Sequence, residues 1–245
     1  MPEQSLYDFA DIETIGDLQG RSADLIDSEE NPIRAITFIA ERDPVSIIEE
    51  GVLPSGFTIN FERREEFITG TLSRRIKGSG EDYDEEGYRT LVNDIYLVSH
   101  SPAEMYTIYS ISDRDYFQHC LKPFIQGLPP AVAMSFLSTN ELQRLFEELE
   151  NHVDGQIMAT KAVVKSRSDT NVHYFEDSRY TAVFQHNEVV EQNFYVDKVE
   201  FELKRSGKRL TGQISRRGES RFVAGDMEIY FGTLLDAFAT LLSEK

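Results

Sequence analysis

The sequence has little cysteine, no tryptophan and no apolar segment long enough to cross a membrane. Its single cysteine, Cys120, excludes an intrachain disulfide and a zinc site built from several cysteines. One of the longest apolar runs, 131–137, is much shorter than the roughly 20 residues of a membrane-spanning helix. The first residues include acids where a signal peptide would carry positive charge. We therefore predict a cytoplasmic protein that does not insert into membranes.

Positive charge is also scarce. The 245 residues carry 43 acids against 25 bases, which gives a net charge of −18. Such a surface repels nucleic acid and anionic membranes unless the basic residues are gathered in one place. Hydrophobic residues make up 40% of the chain, enough for a folded core. An acidic, lysine-poor composition is typical of a salt-adapted protein, although an ordinary acidic protein is the simpler interpretation.

Hydrophobic spacing predicts both helices and strands. Apolar residues three or four apart indicate helices, and apolar residues that alternate with polar ones indicate strands. The segment 77–87, rich in glycine and acids, is predicted to be an exposed loop. The Gly-Leu-Pro-Pro segment at 127–130 is the best candidate for a boundary between two halves, 1–126 and 127–245. The predicted helices are 5–18, 113–125, 228–242 and one that begins with a capping box at Ser138. The predicted strands are 35–40, 57–61, 67–72, 91–99, 106–111, 131–137, 157–164, 180–185, 199–204 and 209–215.

A faint internal duplication is the most informative pattern in the sequence. When the chain is shifted by 142 residues, segment 59–75 aligns without a gap on segment 201–217. Both segments contain Thr-Gly and Ser-Arg-Arg at matching positions. Each segment is typical of a β-hairpin, and Gly70 inside a strand indicates a bulge or a close backbone approach. We predict an α+β protein of two similar halves, each a mainly antiparallel β-sheet with one or two covering helices.

Basic residues are concentrated in or beside these two hairpins, which hold twelve of the 25 bases. Arginine's planar side chain suits phosphate, and phosphate contacts provide affinity that does not depend on sequence. The hairpins are therefore a candidate nucleic-acid interface. Interleaved glutamates support the alternative that cross-strand ion pairs consume the charge, and edge strands also carry bases to prevent aggregation. The predicted nucleic-acid-binding residues are Arg63, Arg74, Arg75, Lys204, Arg205, Lys208, Arg209, Arg216 and Arg217.

Signals for catalysis are weak. The tripeptide 202–204, Glu-Leu-Lys, has the form of the strand that carries a metal-binding carboxylate and a lysine in restriction-type nucleases. A chain so rich in acids is expected to contain such a tripeptide by chance. The five histidines form no pair with metal-ligand spacing, and no P-loop or GxGxxG motif is present. We predict no catalytic residue, no metal site and no cofactor.

The favoured interpretation is a non-enzymatic binding or assembly subunit. It would contact an anionic partner through the duplicated basic hairpins, with nucleic acid in a larger complex as the leading example and a protein partner also expected. One alternative is a metal-dependent nuclease of the restriction-endonuclease type, which needs another carboxylate beside Glu202. A second alternative is a protein-interaction scaffold without a ligand, which would show an exposed apolar patch. A nucleic-acid interface of this kind needs both Ser-Arg-Arg ends on one face.

Overall fold

The described residues form an α+β fold built on one antiparallel β-sheet of 11 strands, as seen in a computed structural model. The α+β class and the mostly antiparallel sheet predicted from the sequence are confirmed. Among the described residues, no helix is long and apolar enough to span a bilayer. The structure describes residues 12–25, 32–100, 104–134, 136–153, 156–166, 172–186, 189, 194–205, 208–225, 237 and 241.

The sheet brings together strands from the whole length of the chain. The strands are β1 (Ile33–Ala40), β2 (Phe57–Arg63), β3 (Ile68–Lys77), β4 (Tyr88–His100), β5 (Met105–Ile111), β6 (Val132–Met134), β7 (Gln156–Ser166), β8 (Val172–Arg179), β9 (Phe194–Arg205), β10 (Lys208–Ser215) and β11 (Glu219–Gly225). Their order across the sheet is β2-β3-β4-β5-β1-β11-β10-β9-β7-β8, and β6 pairs with the end of β1. Strands β2 and β8 therefore form the two edges of the sheet as described.

Helices cover both faces of this sheet, and local capping fixes where two of them begin. The Asp43 carboxylate accepts hydrogen bonds from the Ser46 N–H and hydroxyl groups. The predicted capping box is present, since the Ser138 N–H donates to Glu141 at 2.6 Å and the Glu141 N–H donates back at 3.2 Å. The described helices are α1 (Ile15–Leu25), α2 (Pro44–Glu50), α3 (Arg114–Tyr116), α4 (Lys122–Gln126), α5 (Thr139–Val153) and α6 (Tyr180–Phe184), and a π-helical turn (Phe117–Leu121) joins α3 to α4.

Two hydrophobic clusters form the core, one on each face of the sheet. Alternate residues of β1 enter different clusters, because successive side chains of a strand point to opposite faces. Ile33 and Ala35 belong to the larger cluster, and Ile36 and Phe38 belong to the smaller one. The larger cluster lies under α1, α5 and α6 and combines residues from both predicted halves. The smaller cluster lies under α2 and the helical segment 114–126.

The two predicted halves form one continuous sheet rather than two separate sheets, because β1 pairs with β11. Each half contains a three-strand meander, β2-β3-β4 and β9-β10-β11. The hairpin registers differ, since Gly70 pairs with Phe61, whereas Gly212 pairs with Phe201. Under the shift of 142 residues, the equivalent of Phe61 is Leu203, two positions away. The duplication and the division near residue 127 stay predictions.

The predicted strand at 180–185 is wrong, because these residues form α6. Tyr180, Val183 and Phe184 are buried, which is the spacing of one helical face. Strands β8 and β11 and helix α2 were not predicted, and the predicted strand 131–137 is reduced to the three residues of β6. Much of the predicted helices 5–18 and 228–242 lies outside the described residues, although Ala237 and Leu241 are helical and buried.

Candidate anion-binding face

The first basic hairpin, β2–β3, holds arginines whose charges are already paired. Arg63 donates a hydrogen bond to the Asp43 carboxylate at 2.6 Å. Arg64 lies 2.8 Å from the carboxylate of Glu13 and 3.2 Å from that of Glu62. These ion pairs match the alternative in which neighbouring acids consume the charge of the hairpin.

Arg74 connects this hairpin to the helical segment 114–126. Pro123 has no N–H and cannot donate to the carbonyl of His119, four residues earlier. The Arg74 Nη1 atom donates to that carbonyl at 2.7 Å. The Arg74 guanidinium also lies 4.7 Å from the centre of the Phe57 ring, in cation–π geometry. These contacts therefore join the β2–β3 hairpin to the helical segment without a ligand.

Arg75 is held by the acidic loop that follows β3. Its guanidinium lies 4.1 Å from the centre of the Tyr88 ring, 3.1 Å from the Glu86 carboxylate and 3.5 Å from the Asp84 carboxylate. Asp84 also accepts hydrogen bonds from the backbone N–H groups of Glu86 and Tyr88. The predicted exposed loop is confirmed, and its acids neutralise Arg75.

The two Ser-Arg-Arg segments lie at opposite ends of the sheet. Five successive antiparallel pairings lead from β3 to β10, through β4, β5, β1 and β11. An odd number of reversals makes β3 and β10 run in opposite directions. Each Ser-Arg-Arg segment stands at the carboxyl end of its strand. The structure therefore does not bring the two arginine pairs onto a shared patch.

The second hairpin, β9–β10, belongs to a polar sheet face that we call the basic face. Directly opposed residues on neighbouring strands share a face, so the register identifies its members. The other face of the same strands carries core residues such as Phe201 and Phe222. One row across the basic face consists of Arg34, Arg221, Gln213, Glu200 and Lys161. On β1, β7, β9, β10 and β11 its described charged side chains are Arg34, Lys161, Lys165, Asp197, Lys198, Glu200, Glu202, Lys204, Arg209, Glu219 and Arg221, with Arg216 at the end of β10.

Positive charge predominates on the basic face although the chain as a whole is acidic. The set contains eight basic and four acidic side chains, in a chain of net charge −18. Glu202 alone binds two of the cations, Lys204 at 3.1 Å and Arg209 at 2.7 Å. Because a carboxylate shared by two cations cancels only one charge, a local positive excess remains.

Further ion pairs and hydrogen bonds link charged side chains along and around the basic face. Lys198 donates to Glu200 at 3.0 Å and to the side-chain oxygen of Gln213 at 3.3 Å. Lys165 lies 2.5 Å from Asp197. At the border with the helical segment 114–126, Lys122 from α4 lies 2.7 Å from Glu219. These contacts hold the long side chains in place along the strands.

Two arginines face each other at the centre of the sheet. Arg34 of β1 is directly opposite Arg221 of β11. Burial and the charge of Arg221 lower the pKa of Arg34 to about 10. The Arg34 Nε atom donates to the Ser112 carbonyl at 3.1 Å, which fixes the side chain. Like charges directly opposite each other cost stability at this position.

Arg216 and Arg217 follow β10 and differ from the predicted site residues Arg63, Arg75, Lys204 and Arg209, which are all paired with acids. Within the described part of the chain, neither guanidinium has a carboxylate at ion-pair distance. Arg216 lies 4.4 Å from the centre of the Tyr195 ring and 5.8 Å from that of Phe136. Arg217 is exposed, and so is Phe136, at 55%. The pair combines unneutralised positive charge with an accessible aromatic ring.

The predicted site residues are thus separated by the structure. Lys204 and Arg209 lie on the basic face, with Arg216 and Arg217 at its end, whereas Arg63, Arg74 and Arg75 lie on the distant hairpin. Arg205 and Lys208 pair across β9 and β10, and their side chains lie outside the described set. The sequence predictions missed Arg34, Lys161, Lys165 and Lys198. Charged residues at 198, 200, 202 and 204 give a period-two signal that marks this face.

The described surroundings of Glu202 are cationic. Across the described ranges, no group of three or more His, Cys, Asp or Glu side chains is placed to hold a metal ion. Glu202 is bound by Lys204 and Arg209, so its immediate partners are cations rather than a second carboxylate. Glu202 and Lys204 therefore belong to the ion pairs of the basic face.

Known proteins give no family for this chain. No protein-family model matches it, and no curated protein matches it.

Proposed function

We propose that this protein is a non-enzymatic binding or assembly subunit that contacts an anionic partner through its basic face. The observation that carries the proposal is the excess of cations on one side of β7, β9, β10, β11 and β1 in a chain of net charge −18. A polyanion is attracted to such a patch at short range and repelled by the rest of the surface. The acidic surroundings thus direct a partner to this face.

The exposure of the basic face supports a role in binding. Lys204 and Arg209 are 65% and 63% exposed, and Lys165 is 40% exposed. The larger hydrophobic cluster, with α5 and α6, lies on the opposite face. An open antiparallel sheet with one packed and one polar face is a common platform for recognition.

The alternative of a scaffold without a ligand rests on a different observation. Val52 is 94% exposed and Phe136 is 55% exposed, but single exposed apolar residues are normal on protein surfaces. The described surface therefore favours charge over apolar contact as the source of affinity.

A salt titration tests the proposal. Binding of fluorescent heparin and of oligothymidylate, long enough to cover a site of about 4–16 nucleotides, is followed by anisotropy from low to high salt. The test variant carries Lys204→Ala and Arg217→Ala. The matched control carries Arg63→Ala and Lys77→Ala, two exposed bases of the first hairpin, and has the same net charge.

The proposal predicts binding that weakens with salt. For oligothymidylate, the test variant should lose about 1.4 from the log–log salt slope, since each lost phosphate contact on a single strand contributes about 0.7. The control should keep the wild-type slope. Absence of binding to both polyanions at low salt, or equal losses in the two variants, would contradict the proposal.

A further inference from the structure

The end of β10 carries an aromatic and cationic group that the charge argument leaves unexplained. Phe136 keeps 55% of its surface exposed although it is a large apolar side chain. It stands beside Leu137, whose N–H donates to the Arg216 carbonyl at 2.7 Å, so the backbone fixes it against the β10–β11 turn. An exposed aromatic ring whose neighbour is fixed by a backbone hydrogen bond is suited to stacking against a flat ligand.

Arg216 links this ring to the basic face. Its guanidinium contacts the rings of both Phe136 and Tyr195, and Tyr195 lies on β9 opposite Lys165. Arginine that is stacked on aromatic rings keeps its charge and loses little further side-chain freedom on binding. Arg217, the next residue, is exposed beside it. The result is an exposed aromatic ring in contact with Arg216, which the exposed Arg217 follows in the chain, at one end of a row of cations.

We propose that the basic face selects single-stranded nucleic acid, with an unpaired base stacking on Phe136 while Arg216 and Arg217 contact the adjoining phosphates. This inference rests on the proposed function, because it names the class of anion that the face takes. Single strands expose the flat faces of their bases, whereas a duplex hides them within the stack. Aromatic side chains that alternate with cations are the usual means of binding single strands without reading their sequence. An acidic protein segment offers negative charge but no base to stack.

The test separates base stacking from charge. Wild-type protein is titrated with fluorescent oligothymidylate and with an abasic oligomer of the same length, which has the same phosphates and no bases. Duplex DNA and polyglutamate serve as further competitors. The variants are Phe136→Ala, which removes the ring, and Phe136→Trp, which keeps an aromatic surface. Circular dichroism melting of each variant confirms that the fold is intact.

Wild-type protein should bind the base-bearing oligomer about 5- to 140-fold more tightly than the abasic one, the range expected for stacking a single base. Phe136→Ala should remove that preference and leave affinity for the abasic oligomer unchanged, and Phe136→Trp should retain it. Equal binding of both oligomers by wild-type protein, or stronger binding of duplex or polyglutamate, would overturn this inference and leave the proposed function standing. Failure to bind any of the four polyanions would overturn both.

Discussion

Replacing Arg74 by alanine should destabilise the fold rather than weaken ligand binding. The substitution removes the hydrogen bond of 2.7 Å from Arg74 to the His119 carbonyl and the cation–π contact of 4.7 Å with Phe57. A hydrogen bond from a charged donor contributes about 1.5–3 kcal/mol. A cation–π contact near the surface adds about 0.5–1 kcal/mol. Because Arg74 is only partly buried, we take the lower ends and expect a loss of about 2 kcal/mol.

The expected loss can be measured by urea denaturation. Circular dichroism is the appropriate signal, because the chain has no tryptophan for fluorescence. For a chain of this length, about 2 kcal/mol corresponds to a decrease in melting temperature of roughly 4–8 °C. Arg217→Ala is the matched control, since Arg217 is exposed and its loss should change stability by less than about 0.5 kcal/mol.

A double-mutant cycle with Pro123 tests the cause of this loss. Pro123→Ala restores an N–H that can donate to the His119 carbonyl within the helix. The cost of Arg74→Ala should therefore be smaller in the Pro123→Ala background than in wild-type protein. Equal costs in the two backgrounds would refute this reasoning. So would an Arg74→Ala variant of unchanged stability that no longer binds oligonucleotide, because Arg74 would then act as a ligand contact.

Two further predictions concern buried titratable groups. Burial lowers the pKa of His100 to about 4. Between pH 6.5 and 4 the histidine therefore binds a proton in the unfolded chain, where its pKa is near 6.5, but not in the folded protein. The free energy of unfolding should consequently fall by up to about 1.4 kcal/mol per pH unit as the pH is lowered through this range. Urea titrations of wild-type protein and His100→Gln at both ends of that range measure this slope, and an equally steep slope in the variant would exclude His100 as its source. Burial also raises the pKa of the Cys120 thiol to about 12. Iodoacetamide at pH 8 should therefore leave native Cys120 unmodified and alkylate it in denaturant, whereas rapid alkylation of the native protein would show that the thiol is accessible.

The sequence predicted most strands of the sheet because their hydrophobic patterns are local. Gly70 illustrates this, since a Cβ atom there would lie 2.1 Å from the Asn60 carbonyl oxygen, which is the close backbone approach expected from glycine in a strand. The wrong strand at 180–185 has a local cause as well. Its aromatic and β-branched residues favour a strand, but burial of Tyr180, Val183 and Phe184 on one side selects a helix.

The site was harder to predict, because it depends on strand order. The sequence identifies the bases of both hairpins, yet the number of antiparallel pairings between β3 and β10 decides that the Ser-Arg-Arg segments lie at opposite ends. Arg34 joins the basic face only because β1 pairs with β11, which places it opposite Arg221. These two arginines are 187 positions apart in the chain. No local pattern records such a pairing. The acid partners of Arg63 and Arg75 were foreseen only as a general alternative.

Lysine footprinting tests the basic face most directly. The protein is acetylated briefly with and without saturating oligothymidylate, and the modification of each lysine is measured by mass spectrometry. Lys165, Lys198 and Lys204 report on the basic face, and Lys77, exposed at the end of β3, is the internal control. We predict that the oligonucleotide protects the three lysines of the basic face and leaves Lys77 as reactive as before. Protection of Lys77 with no change at Lys165, Lys198 and Lys204 would contradict the assignment of the binding face.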